Sequence, residues 1–118
     1  MTQEKSNIIE INSKSDFIEI IKKNKLIFID FYADWCGPCK RILPKIEKLA
    51  SNLKDIDFYK INIENDEFND IVNKVLQIKL LPTFCIFKKQ KCLGKLESSD
   101  EKELVNFINN TCKNIDKN

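Results

Sequence analysis

The chain has 118 residues, 42% hydrophobic and 32% charged, enough apolar side chains for one core and too few residues for two. Its 20 basic and 18 acidic residues leave a net charge of +2, too small to select nucleic acid or an anionic membrane as partner. The longest apolar run of the body, Leu26 to Ile29, stops at Asp30, far short of a membrane span, and the charged first 25 residues lack the apolar segment of a signal peptide.

Ile8, Ile9 and Ile11 suffice for one short strand. Ser13 then reads as the N-cap of a first helix, with Phe17, Ile18, Ile20 and Ile21 as its apolar stripe and Lys22, Lys23 and Lys25 at its end. Asn24 is the expected left-handed stop. Leu26 to Tyr32 has no polar alternation, the pattern of a strand buried on both faces. Asp30 interrupts it. An ionised carboxylate is costly there, so its pKa is expected to be raised. Two roles are open to it: exchanging a proton with Cys39, or capping local amides.

Cys36 falls where a second helix begins, so the unpaired first-turn amides and the helix dipole favour its thiolate, the nucleophilic form. Pro38 suits the first turn, and Gly37 would let the backbone turn sharply between strand and helix. Cys36 and Cys39 are three apart, a spacing of about 5–6 Å between side-chain roots on a helix and within disulfide reach. The helix continues through Ile42, Leu43, Ile46, Leu49, Ala50 and Leu53, with an expected kink at Pro44.

Phe58 to Ile63 alternates as a third strand, with Lys60 mid-strand either meeting Asp30 or facing solvent. Asp66 is the expected cap of a third helix, whose Phe68, Ile71, Val72, Val75 and Leu76 form the clearest helical stripe in the chain. Leu81-Pro82-Thr83 leads into a fourth strand, Phe84 to Phe87; Pro82 is permitted at its start and is a candidate for a cis bond. A polar turn over Lys88 to Lys91 precedes a fifth strand, Cys92 to Leu96. Ser98-Ser99-Asp100-Glu101 reads as the capping box of a last helix with Leu104, Val105, Phe107, Ile108 and Cys112 inward. Residues from Lys113 are expected to fray.

Five cysteines, an odd number, do not form a secreted disulfide framework, and a reducing compartment is expected. Cys85 and Cys112 read as small buried apolar side chains, while Cys92 is either a regulatory thiol or an unreactive strand cysteine. A zinc site would need Cys85 or Cys92 to join Cys36 and Cys39. The Cys85 to Cys92 spacing is not that of a zinc knuckle and the chain has no histidine, so no metal is expected.

Asp30-Phe31-Tyr32-Ala33-Asp34-Trp35-Cys36-Gly37-Pro38-Cys39-Lys40, followed by Leu81-Pro82-Thr83, resembles the active-site stretch and proline turn of the thioredoxins. The resemblance runs from Ile8 to about Cys112. It implies an α/β thioredoxin fold in one domain over residues 1–118, a central mixed five-stranded sheet flanked by four helices. It also implies a protein dithiol-disulfide oxidoreductase that contributes to redox homeostasis. Cys36 would be the exposed nucleophile, Cys39 the shielded resolving thiol, Asp30 the buried proton-transfer group and Lys60 its ionic neighbour. Trp35, Gly37, Pro38, Leu81 and Pro82, the last in the cis form, would meet the substrate. The implied cofactor is none beyond the redox-active Cys36–Cys39 disulfide. The implied partners are disulfide-containing protein substrates and an NADPH-dependent thioredoxin reductase as electron donor, with a monomeric, cytoplasmic chain. Gly37-Pro38 between the cysteines resembles the reducing members. The competing reading is a thioredoxin-like binding module in a larger assembly, with incidental redox activity. Two departures stand out: glycine is missing from Leu96-Glu97-Ser98-Ser99 and from the turn at Lys89-Gln90-Lys91. The rim at Glu97 to Ser99 is expected to bear on partner choice.

Overall fold

The central strand β2 (Leu26–Tyr32) has five consecutive buried residues, Ile27 to Phe31, in the computed structural model, which describes residues 7–115. Burial on both faces explains the missing polar alternation. Beside it, β3 (Ile56–Asn62) runs parallel, and β1 (Ile8–Glu10) is parallel to β3. On the other side β4 (Thr83–Lys88) is antiparallel to β2, and β5 (Lys91–Glu97) is antiparallel to β4. The order is β1-β3-β2-β4-β5, a mixed five-stranded sheet.

The period of two along β2 divides the core. Ile27, Ile29 and Phe31 pack with Phe17 of α1 (Lys14–Ile21), Phe68 and Phe87 on one face. Phe17 meets Phe68 and Phe87 edge-on at 6.4 and 5.8 Å. Phe28 faces the other way, onto Ile42 and Ile46 of α2 (Gly37–Asn52) and Leu104 and Ile108 of α3 (Glu101–Ile115). Each such buried side chain contributes about 1.5–3 kcal/mol. Helix α2 continues through Pro44, since its apolar face extends to Ala50.

The third helical segment departs from the regular helix expected of its stripe. It opens as a 3-10 turn, Asp66–Phe68, and becomes a π turn, Ile71–Val75, closed by Leu76 N–H donating to the Ile71 carbonyl at 2.8 Å. Widening the turn swings Val75 out of register, leaving it 70% exposed, while Leu76 and Ile78 take up the core contact. Its cap is Asn65, whose side chain accepts from Glu67 N–H, and not Asp66.

Three smaller expectations are also corrected. Asn24 is not left-handed, because α1 already ends at Ile21 with Lys22 as a right-handed cap. The left-handed residues sit instead in the β4–β5 turn, Lys89 at φ 50° and Gln90 at φ 72°, and at Gln77. Helix α3 begins after Asp100, whose carboxylate accepts from Glu103 N–H at 2.9 Å, so Ser98 is not its N-cap; Ser98 instead accepts from Asp100 N–H. Helical structure also persists past Lys113 to Ile115, and residues 116–118 of the expected frayed tail lie outside the described residues.

Gly94 on β5 is where α3 closes on the sheet. A methyl group there would come within 2.9 Å of the Phe107 ring.

Candidate active site

Strand β2 ends at Tyr32, and the next residues turn directly into α2, which puts Cys36 at the N-cap. Cys36 Sγ accepts from the backbone N–H of Cys39 at 3.2 Å, so the first helical turn directs a donor at the sulfur. Cys36 and Cys39 form a disulfide with their Cα atoms 5.3 Å apart. Pro38 occupies the first turn, as its missing N–H allows. Gly37 has no left-handed φ, so the sharp turn expected of it is not made there, and a methyl group would meet only the tip of Arg41.

The expected contrast between an exposed Cys36 and a shielded Cys39 is not one of surface area. In the disulfide form each is 4% exposed. They differ in what they face. Cys36 lines an outer groove of about 460 Å³ with Trp35, Gly37, Pro38, Leu80 and Leu81. Cys39 lines an inner cavity of about 190 Å³ with Asp30, Tyr32, Leu43 and Lys60.

Asp30 points to the α2 face, the same side of β2 as Phe28. It is 2% exposed, and its Oδ1 has no hydrogen-bond partner among the described residues. Burial pushes its pKa up to about 7, and the charge of Lys60 opposes that rise. Lys60 is the direct cross-strand neighbour of Asp30 and shares its cavity, but their contact is not a direct ion pair; the ammonium lies 5.4 Å over the Tyr32 ring. Both options raised for Lys60 are therefore half realised: it is half-buried and electrostatically coupled.

The outer groove gathers the expected substrate-side residues unevenly. Trp35 is 69% exposed on its rim. The Leu81–Pro82 bond is cis, Leu81 packs against Ala33, Cys36 and Cys39, and Pro82 itself is buried behind it. Thr83 donates its hydroxyl to the Leu80 carbonyl, holding the turn. Sequence reasoning missed the apolar contribution of Ile63, Ile78 and Leu80, the last 65% exposed; the run Leu80-Leu81 before Pro82 was its one available signal. It also missed Glu10, whose two carboxylate oxygens accept from the Tyr32 hydroxyl at 2.8 and 2.7 Å. Burial and that bond push the Tyr32 pKa upward.

Among the described residues, no three His, Cys, Asp or Glu side chains gather as a metal site, and no helix is long and apolar enough to cross a membrane. With only a disulfide and a carboxyl group at its centre, the arrangement can carry two electrons as a dithiol and a proton at Asp30.

The thioredoxin family model matches residues 8–110. A thioredoxin-like protein of Acanthamoeba polyphaga mimivirus is 39% identical over 107 residues, covering 86% of this chain and 77% of its own. Thioredoxin-1 of Saccharomyces cerevisiae is 38% identical over 89 residues, or 75% of this chain and 84% of its own. The crystal structure of Malassezia sympodialis thioredoxin superposes with a TM-score of 0.81 at 30% identity, over 94% of this chain and 96% of that one. Kinship of that extent, with a disulfide at the head of α2, makes the chain a member of the thioredoxin family and a protein dithiol-disulfide oxidoreductase.

Proposed function

We propose that the chain works in the reducing direction in the cytoplasm, opening disulfides of partner proteins and being returned to the dithiol by an NADPH-dependent thioredoxin reductase. The reading rests on one arrangement: Cys36 lines the outer groove while Cys39 shares the inner cavity with Asp30. In the reduced protein the Cys36 thiolate attacks one sulfur of a substrate disulfide and expels the other as a thiolate, forming a mixed disulfide. Trp35, Gly37, Pro38 and Leu81 are the surface an extended substrate segment meets, and the backbone at Pro82 offers it a short strand-like contact.

Asp30 then takes the Cys39 thiol proton, its raised pKa suiting a group that both accepts and returns a proton near neutrality. The Cys39 thiolate attacks Cys36 Sγ, the substrate leaves as a thiol, and the Cys36–Cys39 disulfide is restored. Lys60 keeps part of the Asp30 population ionised. The charged Glu97 to Ser99 stretch selects among partners from the strand paired with the Pro82 turn, Glu97 lying opposite Thr83.

Insulin reduction tests the activity: the reduced protein should accelerate insulin precipitation in the presence of a dithiol, and Cys36→Ser should not. Turnover with thioredoxin reductase and NADPH should exceed turnover with glutathione. An inert wild-type protein would favour the binding-module reading instead.

A further inference from the structure

Cys85 and Cys92 lie on the face of the sheet opposite Asp30. Cys85 is fully buried on β4 among Ile29, Phe17 and Phe87, and Phe87, two residues on, points the same way. A β-bulge between β4 and β5 interrupts the register, so that Ile86 faces Gly94 but Phe87 faces Cys92, with Leu93 as the extra residue. The shift turns the Cys92 side chain onto the Cys85 face. The two thiols are diagonal neighbours on that face, and the Cys92 thiol donates to the Gly94 carbonyl at 3.5 Å. Lys95, the cross-strand partner of Cys85, adds a cation to the pair. Both cysteines are unpaired by disulfide, and only Cys92 is exposed.

We propose that Cys85 and Cys92 form a second redox pair, oxidised by hydroperoxides to an intramolecular disulfide independent of the Cys36–Cys39 centre. Burial dictates the order of events. A peroxide cannot reach Cys85, so the exposed Cys92 thiolate attacks first, breaking the O–O bond to give Cys92 sulfenic acid and an alcohol, or water from hydrogen peroxide. The adjacent Cys85 thiol, the Gly94 backbone and the charge of Lys95 outweigh burial and lower the Cys92 pKa to about 7, which supplies that thiolate. The Cys85 thiol then attacks the sulfenic sulfur; the S–S bond forms and the oxygen leaves as water with the two protons. Diagonal neighbours begin somewhat wider than an unstrained disulfide allows, about 7–8 Å against up to about 6.8 Å at Cα. The closure falls to the bulged edge strand β5, which among the described residues has no strand on its outer side.

Trypsin can read the outcome, because Lys88, Lys89 and Lys91 separate the two cysteines and only a disulfide can hold their peptides together. The full chain carrying Cys36→Ser and Cys39→Ser, treated with hydrogen peroxide and then alkylated, should lose two of its three remaining thiols and yield a Cys85–Cys92 peptide pair that dithiothreitol separates. Adding the surface change Cys92→Ser should leave Cys85 fully alkylated at the same peroxide dose. The proposal fails if Cys92 is driven to sulfinic or sulfonic acid with Cys85 still alkylated, if Cys92 instead joins two chains, if neither thiol reacts, or if Cys85 oxidises without Cys92.

Discussion

Lys60 stands directly across from Asp30 in the β2–β3 register, yet its ammonium is held 5.4 Å over the Tyr32 ring. The Tyr32 hydroxyl is in turn fixed by both oxygens of Glu10, itself the β1 neighbour of Lys60. The cation thus acts on Asp30 across the cavity and leaves its carboxyl group available for protons. Lys60→Met removes the charge that opposes the burial-driven rise of the Asp30 pKa. The pH dependence of the release step should move to higher pH, while the rate of Cys36 attack changes little. A profile that stays in place would separate Lys60 from the proton transfer.

The same carboxyl group makes stability depend on pH in the opposite sense to an ordinary salt-bridged acid. Its folded pKa, about 7, lies above the unfolded value of 3.8. Between the two, the unfolded chain has lost the proton that the folded chain still holds, so stability falls as pH rises across that window. The oxidised protein should lose on the order of 3–4 kcal/mol from this group between about pH 4 and pH 8. Asp30→Asn should flatten the slope and be the more stable protein at the alkaline end. Denaturant titrations at both pH values measure this, and parallel pH slopes for the two proteins would contradict the burial argument.

Kinetic tests separate the roles of the three site residues. Cys36→Ser should abolish disulfide reduction, whereas Cys39→Ser should accumulate a mixed disulfide with substrate. Asp30→Asn should slow release roughly 10²-fold, the scale of a lost general base, with a smaller effect on the first attack. Rapid-mixing measurements of the two steps decide it; equal slowing of both would count against a proton acceptor for Cys39.

The site was legible where its signals are local. Cys36, Pro38 and Cys39 fall within one helical turn, and Asp30 is conspicuous because it interrupts an apolar run. The strand and helix order could be read for the same reason. Features that depend on strands meeting through space were not accessible. Glu10 and Tyr32 are 22 residues apart and meet only because β3 lies between their strands. Cys85 and Cys92 align only through a bulge, and the need for Gly94 arises from the Phe107 ring of α3. The π turn after Phe68 escaped because a stripe at i, i+3, i+4 and i+7 presumes a constant pitch.

The β4–β5 turn offers a test of backbone conformation away from the chemistry. Lys88 pairs with Lys91, leaving a two-residue loop in which Lys89 and Gln90 both have positive φ. Such a loop favours Asn-Gly, and a left-handed conformation costs an ordinary L-residue about 1–2 kcal/mol. The turn is nevertheless held, because Lys89 and Gln90 N–H donate to the carbonyls of Lys23 and Ile21 at 3.0 and 2.6 Å, partnering oxygens around the end of α1. Those donors are backbone groups and survive replacement of the side chains. Lys89→Asn with Gln90→Gly should therefore stabilise the protein by about 1 kcal/mol, the conformational gain being partly offset by the greater freedom of glycine in the unfolded chain. Insulin reduction should be unchanged. Denaturant midpoints of the two proteins provide the measurement, and an unchanged or lowered midpoint would mean that the strain is already relieved by the bonds to α1.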